Sequence, residues 1–258
     1  MAIKLTTTRQ AAAINGVKLC VYGAAGAGKT CLSATTGGTP VIISAEAGLL
    51  SLRDSDIPVI EVASIADVQE AYLYLRDSAE AAHFDWIILD SISEIAEVVL
   101  SAEKKLSKDP RQAYGALQEQ MHDLVRGFRD LPRNVCMSAK MERLKDEQTG
   151  AMLYAPSMPG AKLGQALPYF FDEVFCLRLE NDADGNPQRW LQTQPDFNYT
   201  AKDRSGALAP FEATNLAAIA AKIMFYGMEH GTFTGRKLAD YFTDGKPPDW
   251  INARRIIN

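Results

Sequence analysis

The chain has 258 residues, of which 47% are hydrophobic and 23% are charged, so it can bury the core of one main domain with appendages. Its formal net charge of -5 argues against a protein that coats nucleic acid through bulk positive charge, although a local basic groove is compatible with it. No run of about eighteen apolar residues occurs, so we expect no membrane partner.

The amino-terminal residues and the cysteine pattern indicate an intracellular protein. The first ten residues, MAIKLTTTRQ, lack the basic-then-apolar pattern of a secretory signal. Four cysteines lie far apart without C-x-x-C spacing, and we expect them to be reduced core residues. They are Cys20, Cys31, Cys136 and Cys176. The three histidines are isolated as well, so a zinc site is not expected, and the predicted location is cytoplasmic.

Six short apolar runs predict β-strands. Most of them are rich in β-branched residues and apolar throughout, as strands covered on both faces of a sheet must be. The runs are Lys18 to Tyr22, Val41 to Ser44, Val59 to Val62, Trp86 to Asp90, Val135 to Ala139 and Val174 to Leu179.

Helical patterns lie between several of these runs. The first helix has an apolar face from Ile65 to Ala79, and Ser64 with Asp67 predicts a capping box at its start. A second apolar face runs from Ile92 to Val99 and a third from Tyr114 to Phe128. Alternating strands and helices predict an α/β fold with a mostly parallel central sheet.

The pattern changes after residue 179. A cluster of turn residues between Asn181 and Asn186 separates two strand-like runs and predicts a β-hairpin at one edge of the sheet. A helix is predicted from about Glu212 to Tyr226, followed by a short amphipathic stretch and a tail that contains Gly245 and Pro247. We therefore divide the chain into an amino-terminal segment (1–16), a core (17–211) and a small C-terminal helical extension with a tail (212–258).

Residues Gly23 to Thr30 match the phosphate-binding pattern G-x-x-x-x-G-K-[ST] after a predicted strand and before a predicted helix start. Small residues let the backbone curl so that successive N–H groups point at phosphate oxygens, and the helix amino terminus adds a favourable dipole. Lys29 is expected to reach the β and γ phosphates, and Thr30 to offer its hydroxyl to Mg²⁺. ATP and Mg²⁺ are the predicted cofactors. The predicted nucleotide-binding residues are Gly23, Ala24, Ala25, Gly26, Ala27, Gly28, Lys29, Thr30 and Cys31.

Two carboxylates follow predicted strands, at the end where ligands of open α/β sheets bind. Asp90 ends the run that begins at Trp86, and we interpret it as the Walker B residue, which holds Mg²⁺ through water together with Thr30. Glu46 follows the run Val41 to Ala45 and is the candidate general base, provided that it lies within hydrogen-bond reach of the attacking water. A solvated loop position is the alternative for Glu46.

Three segments of the chain resemble the RecA-like P-loop ATPases. Ser44 to Gly48 is similar to the segment that bears the catalytic glutamate of that family, and Leu89 to Ser93 to its Walker B aspartate followed by serine. Thr200 to Gly206 resembles the Lys-x-Arg element of RecA-like hexameric helicases. This resemblance implies that Lys202 and Arg204 act on the γ phosphate bound by a neighbouring subunit, and hence a head-to-tail ring or filament. A solvated basic turn is the alternative.

Within this group the chain is similar to compact phage-encoded RecA-like proteins that bind and anneal single-stranded DNA during recombination. The likeness covers roughly Val17 to Phe211 and includes Met137 to Lys140. It implies single-stranded DNA as a partner, possible contact with a single-strand-binding protein and, for a phage-encoded chain, the bacterial host cell as location. RecA carries a glutamine sensor after this strand, whereas the polar residues here are Ser138 and Lys140, so the sensor is not identified.

The resemblance places DNA-binding loops near residues 104–114 and 140–162. The first window has four basic residues against one acidic residue, and the second has four against three. Tyr114 and Tyr154 are candidates for base stacking. The candidate DNA-binding cations are Lys104, Lys105, Lys108, Arg111, Lys140, Arg143, Lys145 and Lys162. A solvated helix end is the alternative for the first window, and a mobile hairpin around Gln148 to Gly150 is expected in the second.

The leading hypothesis is an ATPase that assembles on single-stranded DNA and uses ATP to control annealing or recombination. A hexameric helicase or loader-type ATPase is the first alternative. A small-molecule kinase is the second, because a phosphate-binding loop does not specify the phosphate acceptor. A regulatory ATP-switched assembly protein that binds no nucleic acid also remains open.

Overall fold

A computed structural model describes residues 16–46, 48–145, 147, 150–182, 184–231, 235–242, 248–253 and 256. Its centre is a ten-stranded mixed sheet. The strands are β1 (Lys18–Gly23), β2 (Pro40–Ser44), β3 (Val59–Glu61), β4 (Trp86–Asp90), β5 (Asn134–Lys145), β6 (Met152–Pro156), β7 (Glu173–Asn181), β8 (Pro187–Gln192), β9 (Lys202–Asp203) and β10 (Phe211–Ala213). The α-helices are α1 (Ile65–Asp77), α2 (Ile92–Leu106), α3 (Pro110–Arg129), α4 (Ala161–Ala166), α5 (Leu216–His230) and α6 (Trp250–Ala253).

The sheet has the strand order β10-β8-β7-β1-β5-β4-β2-β3, with β6 paired to β5 and β9 paired to β7. The six strands from β7 to β3 pair in parallel, whereas β8, β10, β6 and β9 pair antiparallel. This confirms the predicted mostly parallel α/β sheet. Because β1 lies between β5 and β7, the loop that follows β1 leaves the middle of the sheet.

Helices cover both faces of the sheet, which explains why its central strands are apolar throughout. Helices α1, α2 and α3 pack on one face and bury residues such as Leu75, Ile95 and Phe128. Helix α5 packs on the other face through Leu216 and Ile219. The predicted capping box of α1 is present, since Ser64 and Asp67 exchange side-chain to backbone hydrogen bonds.

The carboxyl-terminal part departs from the prediction in two respects. The helix predicted from about Glu212 begins at Leu216, because Asn215 caps it by accepting a hydrogen bond from the Ala218 N–H. Residues Phe211–Ala213 instead form β10, which pairs with β8. The predicted hairpin is present as β7 and β8. It does not form the edge of the sheet, because β10 pairs with β8 on the outer side. The division after residue 211 thus falls inside a strand of the sheet.

Most residues at the two chain ends lie outside the described part of the chain. Residues 1–15 are not described, and neither are Gly245 and Pro247 in the tail. A small cluster joins Tyr241 to Ala253 and Ile256 in the described part of the tail. Among the described residues, no helix combines the length and the apolar character that crossing a membrane requires.

Candidate functional site

The loop between β1 and a short 3-10 helix, Thr30–Thr35, forms a tight cradle. Gly23 approaches β7 so closely that a Cβ would lie 2.9 Å from the carbonyl oxygen of Leu177. Gly28 has a φ of +105°, which only glycine adopts without strain. The helix start expected after this loop is present but is one short 3-10 helix, so its dipole is smaller than that of a long α-helix.

The Lys29 side chain lies within the cradle. Its ammonium donates to the carbonyl oxygens of Gly23, at 2.9 Å, and Ala24, at 3.0 Å. Burial lowers the pKa of Lys29, and the charges of Asp90 and Glu46 oppose that shift. The Lys29 ammonium therefore lies within electrostatic range of both predicted carboxylates. The lysine follows β1, whereas Glu46 follows β2 and Asp90 ends β4.

Asp90 lies buried at the end of β4 and accepts a hydrogen bond on each carboxylate oxygen. The Thr30 hydroxyl donates to Oδ2 at 2.6 Å, and the Ser138 hydroxyl donates to Oδ1. Ser138 comes from β5, the strand between β1 and β4. Its contact with Asp90 was not predicted, although a polar residue within an apolar run is a signal of such a role.

Glu46 lies beside this pair. The Ser91 hydroxyl donates to Glu46 Oε1 at 2.8 Å, and the Ser44 hydroxyl donates to the Glu46 carbonyl oxygen at 2.6 Å. Ser44 is opposite Asp90 in the pairing of β2 with β4, so both carboxylates lie at the same edge of the sheet. The exposed side chain of Glu46 faces solvent at this edge, where a general base must meet water.

The residues at this edge fit Mg²⁺ delivered with a nucleotide. The contact between Thr30 and Asp90 provides hard oxygen donors, and Mg²⁺ prefers one or two protein groups together with phosphates and water. Within the described ranges, no group of three or more His, Cys, Asp or Glu side chains forms a metal cage. Thr30 and Asp90 would hold Mg²⁺ together with phosphate oxygens, whose charge the metal neutralises.

Two residues next to the cradle differ from expectation. Cys31 is exposed, so the prediction that all four cysteines belong to the core is wrong for this one; the other three are buried. Arg189 of β8 was not predicted as a site residue, yet its Nε donates to the carbonyl oxygen of Ala27 at 2.9 Å. The two are 162 residues apart, and no local sequence signal marks such a contact.

Lys140 is paired with Gly23 in the register of β5 with β1. Its ammonium donates to Glu94 Oε2 at 2.6 Å and to Glu97 Oε1 at 3.0 Å, both on α2. The hydrogen bond to Glu94, followed by the effects of Glu97, raises the pKa of Lys140. The structure thus places this lysine beside the cradle in a partly exposed ion pair, whereas the other candidate DNA-binding cations are exposed.

Lys202 and Arg204 lie away from the cradle and contact their own chain. The Lys202 ammonium donates to the carbonyl oxygens of Phe171, at 2.5 Å, and Pro168, at 3.3 Å. Burial lowers the pKa of Lys202, and the Arg204 charge lowers it further. Arg204 forms an ion pair with Asp172 at 2.6 Å.

The other candidate DNA-binding cations occupy two exposed regions. Lys104 and Lys105 end α2 and Arg111 begins α3, so the first window is a helix–helix connection. The second window contains the expected β5–β6 hairpin, of which residues 146, 148 and 149 lie outside the described residues, and its last cation, Lys162, lies in α4. Each window places a cation over a tyrosine ring, Lys104 over Tyr114 at 5.5 Å and Arg143 over Tyr154 at 5.8 Å. One face of Tyr154 stacks on Tyr199, which was not foreseen.

The fold and the site together define a P-loop nucleotide-binding protein, with a cradle after the central strand and a buried Walker B carboxylate beside it. The sequence also matches the family model described as AAA domain over residues 15–205, more than half of the chain. The chain therefore belongs to the AAA domain family of P-loop ATPases. A comparison with the curated proteins gives no match.

Proposed function

We propose that this ATPase assembles head to tail on single-stranded DNA and uses ATP to control annealing during recombination, in the manner of RecA-like proteins. Lys29, Thr30 and Asp90 bind the nucleotide and its metal, and Glu46 activates water. Lys202 and Arg204 of one subunit act on the nucleotide of the next.

The observation that carries this proposal is the separation of the Lys202–Arg204 element from the cradle of its own chain. On β7, β9 pairs with Glu173 and Val174, whereas Gly23 pairs with Leu177. Glu173, the partner of Asp203, lies four residue steps before Leu177, or about 13 Å, and Val174, the partner of Lys202, lies three steps before it, or about 10 Å. The two cations also point farther away, to Phe171 and Asp172. A role on a phosphate therefore requires the cradle of another subunit.

Exposure and chemistry make such an interface accessible. The Arg204 side chain is 61% exposed, and an exposed ion pair such as that with Asp172 contributes little stability, so exchanging Asp172 for a phosphate costs little. The DNA part of the proposal rests on the two exposed windows. Both contain cations and a tyrosine ring, groups that bind single strands without sequence preference, and Tyr114 is the more exposed of the two rings.

The test measures ATP turnover and particle size with and without single-stranded DNA at a stated salt concentration. DNA is expected to raise both, and Arg204→Ala is expected to reduce kcat by about a thousandfold while ATP still binds. Arg76→Ala is the matched control, because Arg76 is also an exposed arginine paired with an aspartate. A mixture of Arg204→Ala with Lys29→Ala should recover turnover, since each supplies what the other's interface lacks.

Several outcomes would contradict the proposal. Unchanged turnover and a persistent monomer with DNA present would refute DNA-dependent assembly. Normal turnover in Arg204→Ala would refute the trans role. DNA unwinding without annealing would favour a helicase or loader, and transfer of phosphate to a small molecule would favour a kinase.

A further inference from the structure

Arg189 of the β7–β8 hairpin contacts the nucleotide cradle at Ala27 and Gly28. Its Nε donates to the Ala27 carbonyl oxygen at 2.9 Å, and a Cβ on Gly28 would lie 3.3 Å from the same nitrogen. The side chain thus lies directly on the Ala27–Gly28 peptide. Within the described part of the chain, Ala27 is the sole hydrogen-bond partner of the guanidinium.

The geometry of a peptide bond relates this contact to phosphate binding. In a planar trans peptide, the C=O and the following N–H point in opposite directions. The Gly28 N–H therefore points away from Arg189, and the backbone N–H groups of a P-loop are the groups that cradle phosphates. Among the described residues, no backbone hydrogen bond uses this N–H. The positively charged guanidinium beside the carbonyl oxygen also polarises the peptide and makes its N–H a stronger donor.

We propose that Arg189 is a positioning residue for phosphate binding, which holds the Gly28 N–H as a donor to the α or β phosphate of a nucleoside di- or triphosphate. It acts through the Ala27–Gly28 peptide and does not itself contact the nucleotide. The inference rests on nucleotide binding at this cradle. It also assigns a function to the edge hairpin, whose strand β8 presents Arg189 on the same face of the sheet as the buried Leu191.

The test compares Arg189→Ala, Arg189→Lys and the control Arg76→Ala with the wild-type chain by calorimetric titration of ATP and ADP. Arg189→Ala should raise the Kd of ATP and ADP by the same factor, about tenfold. The lost hydrogen bond involves a charged group, but it affects the phosphate only indirectly, through the Ala27–Gly28 peptide. At saturating ATP, kcat should change less than about twofold. Arg189→Lys should recover most of the affinity, because an ammonium can donate to the same carbonyl.

An NMR measurement separates this role from general stabilisation. In the nucleotide-free chain, Arg189→Ala should shift the Gly28 amide resonance, whereas Arg76→Ala should leave it unchanged. Unchanged Kd values, a loss restricted to ATP, or an unshifted Gly28 resonance would each overturn the inference. If wild type binds neither nucleotide, nucleotide binding itself fails. If Lys29→Ala abolishes binding and Arg189→Ala equals wild type, only the role of Arg189 fails.

Discussion

Glu173, at the start of β7, is expected to make the stability of the protein depend on pH. The residue is 2% exposed, its Oε1 accepts from the Ser205 N–H, and its Oε2 has no hydrogen-bond partner among the described residues. Burial, and then the nearby Asp203 carboxylate, raise the pKa of Glu173 from 4.5 to about 9. Folding therefore keeps Glu173 protonated at pH values where the unfolded chain ionises it. As far as Glu173 is concerned, the free energy of unfolding has its full value below pH 4.5 and falls as the pH rises toward 9.

The magnitude follows from the size of that shift. Each pH unit between the two values costs about 1.4 kcal/mol, so the loss at pH 7 is about 3 kcal/mol. Glu173→Gln has the shape of the protonated acid and cannot ionise, so it should be more stable than wild type at pH 7 by about that amount. Urea unfolding at pH 5, 6, 7 and 8 measures the difference, which should grow with pH. Glu70→Gln, an exposed control on α1, should show no such growth. A difference for Glu173→Gln that is constant across pH would refute the reasoning.

Three further predictions concern the site and the fold. Ser138→Ala removes a donor to Asp90 and should raise the Mg²⁺ concentration for half-maximal turnover about tenfold, measured by steady-state ATPase assays; an unchanged Mg²⁺ dependence would contradict it. Cys31 should be the cysteine that maleimide labels in the folded chain, and Mg-ATP should slow that labelling in mass spectra; labelling unaffected by Mg-ATP would separate Cys31 from the cradle. Asn215→Ala should lower the free energy of unfolding by about 1 kcal/mol in urea titrations, and no loss would show that the cap is dispensable.

The central fold was predictable because its signals are local. Strands such as β1 and β4 are continuous apolar runs, and the start of α1 has its capping box within four residues. The cradle was predictable for the same reason, since its glycines and lysine act within eight residues of sequence.

Contacts between distant segments were not predictable. Arg189 belongs to an ordinary polar strand, and its contact with Ala27 arises only when β8 joins the sheet two strands away from β1. Strand β10 has three residues and no periodicity that distinguishes it from a helix start. The pairing of Lys140 with α2 likewise depends on how a helix packs against a strand, which a single sequence does not specify.

The length of β5 has a mechanical consequence. The strand is unbroken from Asn134 to Lys145, with Lys140 opposite Gly23 and the last five residues projecting into the β5–β6 hairpin. Those five residues extend about 17 Å, so a rotation of the strand by about 10° at Lys140 would displace Lys145 by about 3 Å. The same rotation would therefore produce a larger displacement at Lys145 than next to the cradle. That displacement would shrink in proportion if the hairpin were shortened.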